Sequence, residues 1–332
     1  MISAHSSWLA AHGKLWYDDK RYRLAWVIWP QAFAVGLALW LWVMPSPSSK
    51  HAIWAKPVDV AERNNQLQVL RDSAATSQPE MTKLEREAKG GDPVAQFFYA
   101  TLLDPDLKLS KIVTPDMAKA VDWYERSAAQ GNEWAASNLA TTYESGSFGR
   151  VDFMRACGYA RRLGKNGFGG GTRIKGDCYA RGLGGTTADL VKAADAYDVA
   201  MNKGSSRATA ALGYFYENGL GNRTKDPAAA LRLYRAAADK GDSLGLHNLG
   251  SAYNAGLLGL QRDGSEAARL ILRSLDTHYD VSVRSLLTHP ELWTPEFWQS
   301  LQRRMAERGV YSGPIDGRAN SGTLDAVRRI GG

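Results

Sequence analysis

The chain has 332 residues, 44% of them apolar, and a formal net charge of +7. It is long enough to bury a substantial core and too apolar for a disordered polyelectrolyte. The positive balance is spread along the chain without a strong basic block or a nucleic-acid recognition motif; it suits anionic headgroups or polysaccharide, and no nucleic-acid partner is expected.

Residues 1–23 are polar and mixed, and end in Lys20, Arg21 and Arg23. Residues 24–44 follow with no charge in 21 positions. As a helix this stretch would be about 31 Å long, against a hydrocarbon core of ~30 Å. Trp26 and Trp29 lie near one end, Trp40 and Trp42 near the other, as in a spanning helix with indoles at both interfaces. A cleaved signal peptide has a shorter apolar core and a small-residue cleavage site, which Val43-Met44-Pro45 does not supply. The stretch therefore reads as one retained transmembrane helix. Lys14, Lys20, Arg21 and Arg23 precede it, and only Lys50 and Lys56 follow at similar distance. This asymmetry predicts a cytoplasmic amino terminus and a carboxyl-terminal bulk on the other side. Residues 45–79 read as a linker, opened by a Pro/Ser stretch, with one possible polar helix over 58–72.

The stretch 204–241 sets the pattern for the rest. Ala208, Ala211, Leu212 and Phe215 recur at helical spacing, and so do Ala230, Leu233, Tyr234 and Ala237. Gly219 stands where the first helix needs a left-handed closing residue. Asp226-Pro227 opens the second helix, as a side-chain cap followed by a residue pre-set for the first turn. The same pattern recurs in register. Asp116, Asp152, Asp189, Asp226 and Asp263 are 36, 37, 37 and 37 residues apart. Four residues after each stands Ala120, Ala156, Ala193, Ala230 or Ala267. Eight after each stands Tyr124, Ala160, Tyr197, Tyr234 or Ile271. Fifteen after each comes Gly131, Gly167, Gly204 or Gly241, and His278 in the fifth copy. A fixed period of this length predicts stacked helix pairs that share one continuous core.

At these residues the chain resembles the Sel-one-like repeat family, relatives of tetratricopeptide repeats. The fourth copy carries the pattern most fully, in Ala208, Leu212, Gly213, Tyr216, Gly219, Asp226, Ala230, Tyr234, Ala237 and Gly241. The resemblance implies a scaffold that holds partner proteins, often in membrane-bound or envelope assemblies, and implies no catalysis. The expected fold is all-α: the transmembrane helix, an α-solenoid of about five helix-turn-helix repeats over residues 80–287, and a small helical segment over 288–332.

Cys157 and Cys178 fall on either side of the chain reversal at Gly167. They can pair as a disulfide in an oxidising compartment, or serve as two small core residues in neighbouring helices. The glycine-rich stretch 168–185 lacks the strand–helix context and the lysine of a phosphate cradle. Tyr214 and Trp134 are either partner contacts or fillers between helices. The six histidines lack metal-ligand spacing, and no Ser, His and Asp stand in a nucleophile context. The reading is therefore non-enzymatic, with no cofactor and no metal.

Beyond the array, Thr294-Pro295-Glu296 starts a helix with Phe297, Trp298, Leu301 and Met305 on one side, and Gly309 ends it. A turn follows over 313–317, and Ser321 is expected to cap a last helix with Leu324, Val327 and Ile330 inward. Leu301, Gln302, Met305, Gly309, Tyr311, Gly313, Ile315, Asp316, Gly317, Thr323, Ala326 and Val327 meet the pattern of a peptidoglycan-binding domain, which this segment resembles. That resemblance implies a wall-binding tail, or a remnant of such a domain that only caps the array. Gly313, Ile315, Asp316 and Gly317 would shape the turn, and Tyr311 and Arg318 would touch the glycan–peptide polymer. The functional expectation is a non-catalytic periplasmic scaffold, anchored in a bacterial inner membrane, that binds partners of an envelope assembly. The alternatives are a peptidoglycan tether or wall sensor, and an accessory regulator of a wall or polysaccharide enzyme.

Overall fold

The computed structural model describes residues 60–164 and 167–331. The expected cytoplasmic segment 1–23, the transmembrane helix 24–44 and linker residues 45–59 lie outside the described residues. Among those described, no helix is long and apolar enough to cross a membrane.

The described chain is an all-helical solenoid. Two helices come first, α1 (Val60–Ala74) and α2 (Gln78–Lys89). Five pairs follow: α3 (Pro93–Leu103) with α4 (Met117–Ala129), α5 (Glu133–Ser145) with α6 (Phe153–Arg161), α7 (Gly169–Arg181) with α8 (Leu190–Asn202), α9 (Ser206–Asn218) with α10 (Pro227–Asp239), and α11 (Ser243–Ala255) with α12 (Gly264–Leu275). The chain ends in α13 (Asp280–Thr288), a single 3-10 turn (Pro290–Leu292), α14 (Pro295–Glu307) and α15 (Ser321–Gly331).

The five aspartates are N-caps, as their spacing predicts. Asp116, Asp152, Asp189, Asp226 and Asp263 each accept a backbone N–H from the first turn of the second helix. Each also donates its own backbone N–H to a carbonyl at the end of the first helix, such as Asp226 to Tyr216 at 2.8 Å. The hairpin is thus closed twice, by side chain and by main chain. The alanines four residues on are fully buried, and so are Tyr124 and Tyr197. These tyrosines need room on the facing helix. A Cβ on Gly213 would stand 2.6 Å from Tyr234 Cε1, and one on Gly176 would stand 2.5 Å from Tyr197 Cε1. Glycine in the first helix and tyrosine in the second are one packing solution, repeated. The closing residue is left-handed at Gly131, Gly204 and Gly241, and His278 holds the same conformation at φ 54° without being glycine.

Two boundaries differ from the sequence reading. The possible helix over 58–72 is present as α1, but residues 60–79 belong to the array rather than to a linker. Helix α1 buries Leu67, Leu70 and Ala74, and Arg63 pairs with Glu87 of α2 and with Asp92, the cap of α3. Helices α1 and α2 thus form a further pair that closes the array at its start. The segment 288–332 is likewise not a separate body. Phe297, Trp298, Leu301, Met305, Ala326 and Val327 share one core with Ala267, Ala268, Ile271, Leu272 and Leu275 of the last repeat. A Cβ on Gly264 would stand 2.6 Å from the Phe297 backbone nitrogen, so the two helices meet at backbone distance. Asn254 ties the junction by donating to the Leu292 carbonyl and accepting from the Thr294 N–H, both at 2.9 Å.

Candidate functional site

The described residues of the first repeats and of α1 line a cleft of about 460 Å³ with mainly aromatic and aliphatic side chains. Helix α1 supplies Gln68 and Arg71, α3 supplies Phe97, Phe98 and Thr101, and α5 supplies Trp134 and Asn138. The turn between α3 and α4 adds Leu107 and Leu109, and Phe168 enters from the residue that precedes α7. Trp134 stands at the centre. Its ring lies 5.6 Å from Phe97 and 6.1 Å from Phe98, and stacks on Phe168 at 6.4 Å with 7° between planes. Phe97 and Phe98 are buried, whereas Phe168 is 44% and Leu107 42% exposed. The floor is therefore core and the lips are open. The Arg71 guanidinium lies 5.4 Å from the Phe98 ring centroid and pairs with Asp72. Beyond Trp134 the cleft continues into a polar hollow of about 360 Å³ lined by Asn64, Gln130, Asn132 and Glu133. Such a surface offers apolar contact on one side and a polar rim on the other, whose Gln130 and Asn132 amides are held by hydrogen bonds within the array. Among the described residues no cluster of three or more His, Cys, Asp or Glu can hold a metal ion.

Beneath the cleft lies a carboxylate the sequence did not single out. Asp104 is buried and accepts the Tyr124 hydroxyl at 3.0 Å. Burial raises its pKa above the ordinary carboxylate value, against the hydrogen bonds from Asp106 and Tyr124. Tyr197 and Tyr234 donate in the same way to Asp177 at 2.6 Å and Glu217 at 2.7 Å. Burial, then the facing carboxylate, pushes both phenols well up. These pairs satisfy buried hydroxyls and are structural.

The carboxyl-terminal turn is organised by Gln302, which is fully buried. Its Nε2 lies 3.0 Å from Asp316 Oδ1, 2.9 Å from the Arg318 carbonyl and 3.0 Å from Thr323 Oγ1. Its Oε1 accepts the Gly317 N–H at 2.9 Å. Asp316 also accepts the Arg318 N–H at 2.9 Å, and the Gln302 amide and this N–H hold its pKa below the usual carboxylate range. Asp316 thus shapes the turn. Gly317 has φ 73°, and a Cβ there would meet the Pro295 carbonyl oxygen at 2.7 Å. A Cβ on Gly313 would meet the Tyr311 hydroxyl at 2.5 Å.

Tyr311 does not stand where the peptidoglycan resemblance implies. Only 5% of it is exposed, and its hydroxyl donates to the Pro314 carbonyl at 2.8 Å. The ring belongs to the shared core, because the chain folds back over it, so it is not a ligand contact. Arg318 and Ile315 are exposed at the turn. The last helix is capped by Asn320, which accepts the Thr323 N–H at 2.9 Å, and Ser321 lies inside the helix. Val327 is buried as expected, and Leu324 and Ile330 are half-buried. Tyr214 is a filler, packed between neighbouring clusters of the array. Cys157 and Cys178 are both buried and joined as a disulfide, with Cα atoms 5.9 Å apart.

The protein-family model described as Sel1 repeat matches residues 93–132, 176–195, 206–242 and 243–276. Among solved structures, a Sel1 repeat protein from Oxalobacter formigenes is similar over 82% of this chain and 96% of its own, with TM-score 0.55 and 22% identity. A protective antigen of uropathogenic Escherichia coli strains, displaying an SLR fold, is similar over 76% of this chain and 63% of its own, with TM-score 0.43 and 22% identity. No curated protein sequence matches the chain. The match to the Sel1 repeat model thus covers the first repeat, part of the third, and the fourth and fifth, and the similar structure shares the helical-array fold.

Proposed function

We propose that this protein is a non-catalytic scaffold of a bacterial envelope, anchored by residues 24–44, whose first repeats hold a partner protein in the aromatic cleft. The observation that carries this reading is the Trp134–Phe168 stack above a buried aromatic floor, with Phe168 and Leu107 left open to solvent. Exposed aromatic anchors beside a preformed apolar cleft are what protein interfaces use for affinity. Arrays of Sel1 repeats are generally protein-interaction scaffolds, which agrees with this use. The placement outside the cytoplasm is supported by the Lys/Arg asymmetry and by the disulfide, which suits an oxidising compartment.

The test is crosslinked pull-down from membranes with wild type and Phe168→Glu. Phe168 is substantially exposed, so the variant should keep the helical spectrum and the thermal midpoint while losing the partner. Recovery of the same partner by both proteins would remove the cleft from the reading. A wall-tethering role has one observation in its favour, the rigid turn held by Gln302 that presents Ile315 and Arg318. Co-sedimentation of the whole chain with wall sacculi, lost in Arg318→Ala, checks it.

A further inference from the structure

Among the described residues, six of the twelve large apolar side chains left exposed come from two short stretches: Leu107, Leu109 and Ile112 in one, Phe148, Val151 and Met154 in the other. The first stretch connects α3 to α4, and the second connects α5 to α6 and runs into the first turn of α6, where Met154 lies. Successive first helices in such an array run in the same direction, so these turns emerge on one edge of the solenoid. Ile112 is 39%, Phe148 39% and Met154 65% exposed. In the later copies Leu220, Leu258 and Leu260 of these turns are half-buried, and Val191, two residues after its capping Asp as Met154 is, stands alone at 39% exposed.

Charge tells what this edge suits. Lys108, Lys111 and Arg150 are exposed between the apolar residues. None of the three makes an ion pair among the described residues. The acidic residues nearby are mostly turned to other use. Asp104 is buried under Tyr124, and Asp116 and Asp152 cap α4 and α6; Asp106 is the one left exposed. Leu107 and Leu109 also border the aromatic cleft, whereas Ile112, Phe148, Val151 and Met154, with the cations interspersed, lie outside its lining. Such a surface fits the boundary of an anionic bilayer, where aliphatic and aromatic groups enter the headgroup layer and Lys or Arg remain at the phosphates.

We propose that the edge formed by the intrarepeat turns of the first two repeats lies on an anionic lipid surface. This extends the membrane reading above but does not depend on the anchor. The array then lies along the bilayer, with the aromatic cleft beside it.

The test uses the full chain carrying an environment-sensitive fluorophore at Met154→Cys, the native cysteines being buried in their disulfide. A second protein carries the fluorophore at Thr224→Cys, in the equivalent turn of the fourth copy. Vesicles of phosphatidylcholine, alone or mixed equally with phosphatidylglycerol, contain a lipid quencher at headgroup depth. The expected result is quenching at position 154 in the mixed vesicles, little in phosphatidylcholine alone, and none at position 224. Adding Lys108→Glu, Lys111→Glu and Arg150→Glu should abolish it with an unchanged helical spectrum. Quenching equal at both positions, absent at 154, or indifferent to the charge reversals overturns the proposal. A spectral shift that grows with protein concentration without vesicles assigns the edge to a second copy and overturns it too. Flotation and resistance to alkaline extraction, read on the same samples, report the anchor separately. A chain that stays embedded while position 154 is unquenched keeps the anchor and rejects the lipid edge.

Discussion

Asp104 sits at the end of α3 with its carboxyl under the first repeat's tyrosine, and its raised pKa has a definite sign for stability. The folded state binds the proton more tightly than the unfolded state. Stability is therefore fully present below the unfolded carboxylate pKa and falls as pH rises through the raised folded value. Asp104→Asn keeps an acceptor for the Tyr124 hydroxyl and the Asp106 N–H and removes the charge. The variant should gain on wild type as pH rises from the carboxylate range to neutrality, and denaturant midpoints across that range check it. A constant difference between the two proteins would mean that Asp104 ionises freely. The position of Tyr124 was legible from its spacing after the capping Asp. Its partner was not, because Asp104 lies 20 residues upstream, just past the end of α3, and the distance only closes when the hairpin forms. Gln302 is a similar case. The motif includes it, but the reason for an amide there, one group that both donates and accepts across the turn, appears only in three dimensions.

At the level of single helices, the second repeat departs from the others in a consistent way. Its second helix, α6, has nine residues, where the other second helices have twelve or thirteen. It carries Ala160 where three copies carry a buried tyrosine and the fifth an isoleucine. Less apolar surface is buried within this pair. The disulfide joins α6 to α7, the first helix of the next repeat, at this place. The covalent tie limits the unfolded chain at the junction where packing contributes least. A loop of 21 residues corresponds to about 3 kcal/mol in the chain-entropy treatment. Cys157→Ala with Cys178→Ala, or reduction of wild type, should lower stability by roughly that amount. Hydrogen exchange should rise first in α6 and α7. Uniform loss of protection along the array would show that the disulfide has no local role.

On the scale of the whole molecule, both ends are closed by helices that the repeat pattern does not announce. Helices α1 and α2 cover the first repeat, and α14 and α15 complete the core of the last. Deleting residues 293–332 removes Phe297, Leu301 and Met305 from Ile271 and Leu275, so it should expose the last repeat as well as remove the tail. Each large side chain that loses its cover costs about 1.5–3 kcal/mol. The truncated protein should unfold at a lower temperature and expose α12 to proteolysis. A truncated chain that kept the wild-type midpoint would make the segment an independent domain. For the same reason a fragment starting at residue 280 leaves its own core open, and wall binding is to be measured on the whole chain.

What the sequence alone determined is whatever repeats locally: the capping aspartates, the buried alanines, the closing glycines, and hence helix pairs in a stack. Each of these follows from contacts within one hairpin, and a 37-residue period states them several times over. Tertiary structure decided the rest. It placed Trp134 among aromatics from two other segments, turned Tyr311 inward, and joined 60–79 and 288–331 to the array. These outcomes depend on which surfaces meet when the solenoid ends or bends, and such contacts link residues far apart in sequence that no local spacing encodes.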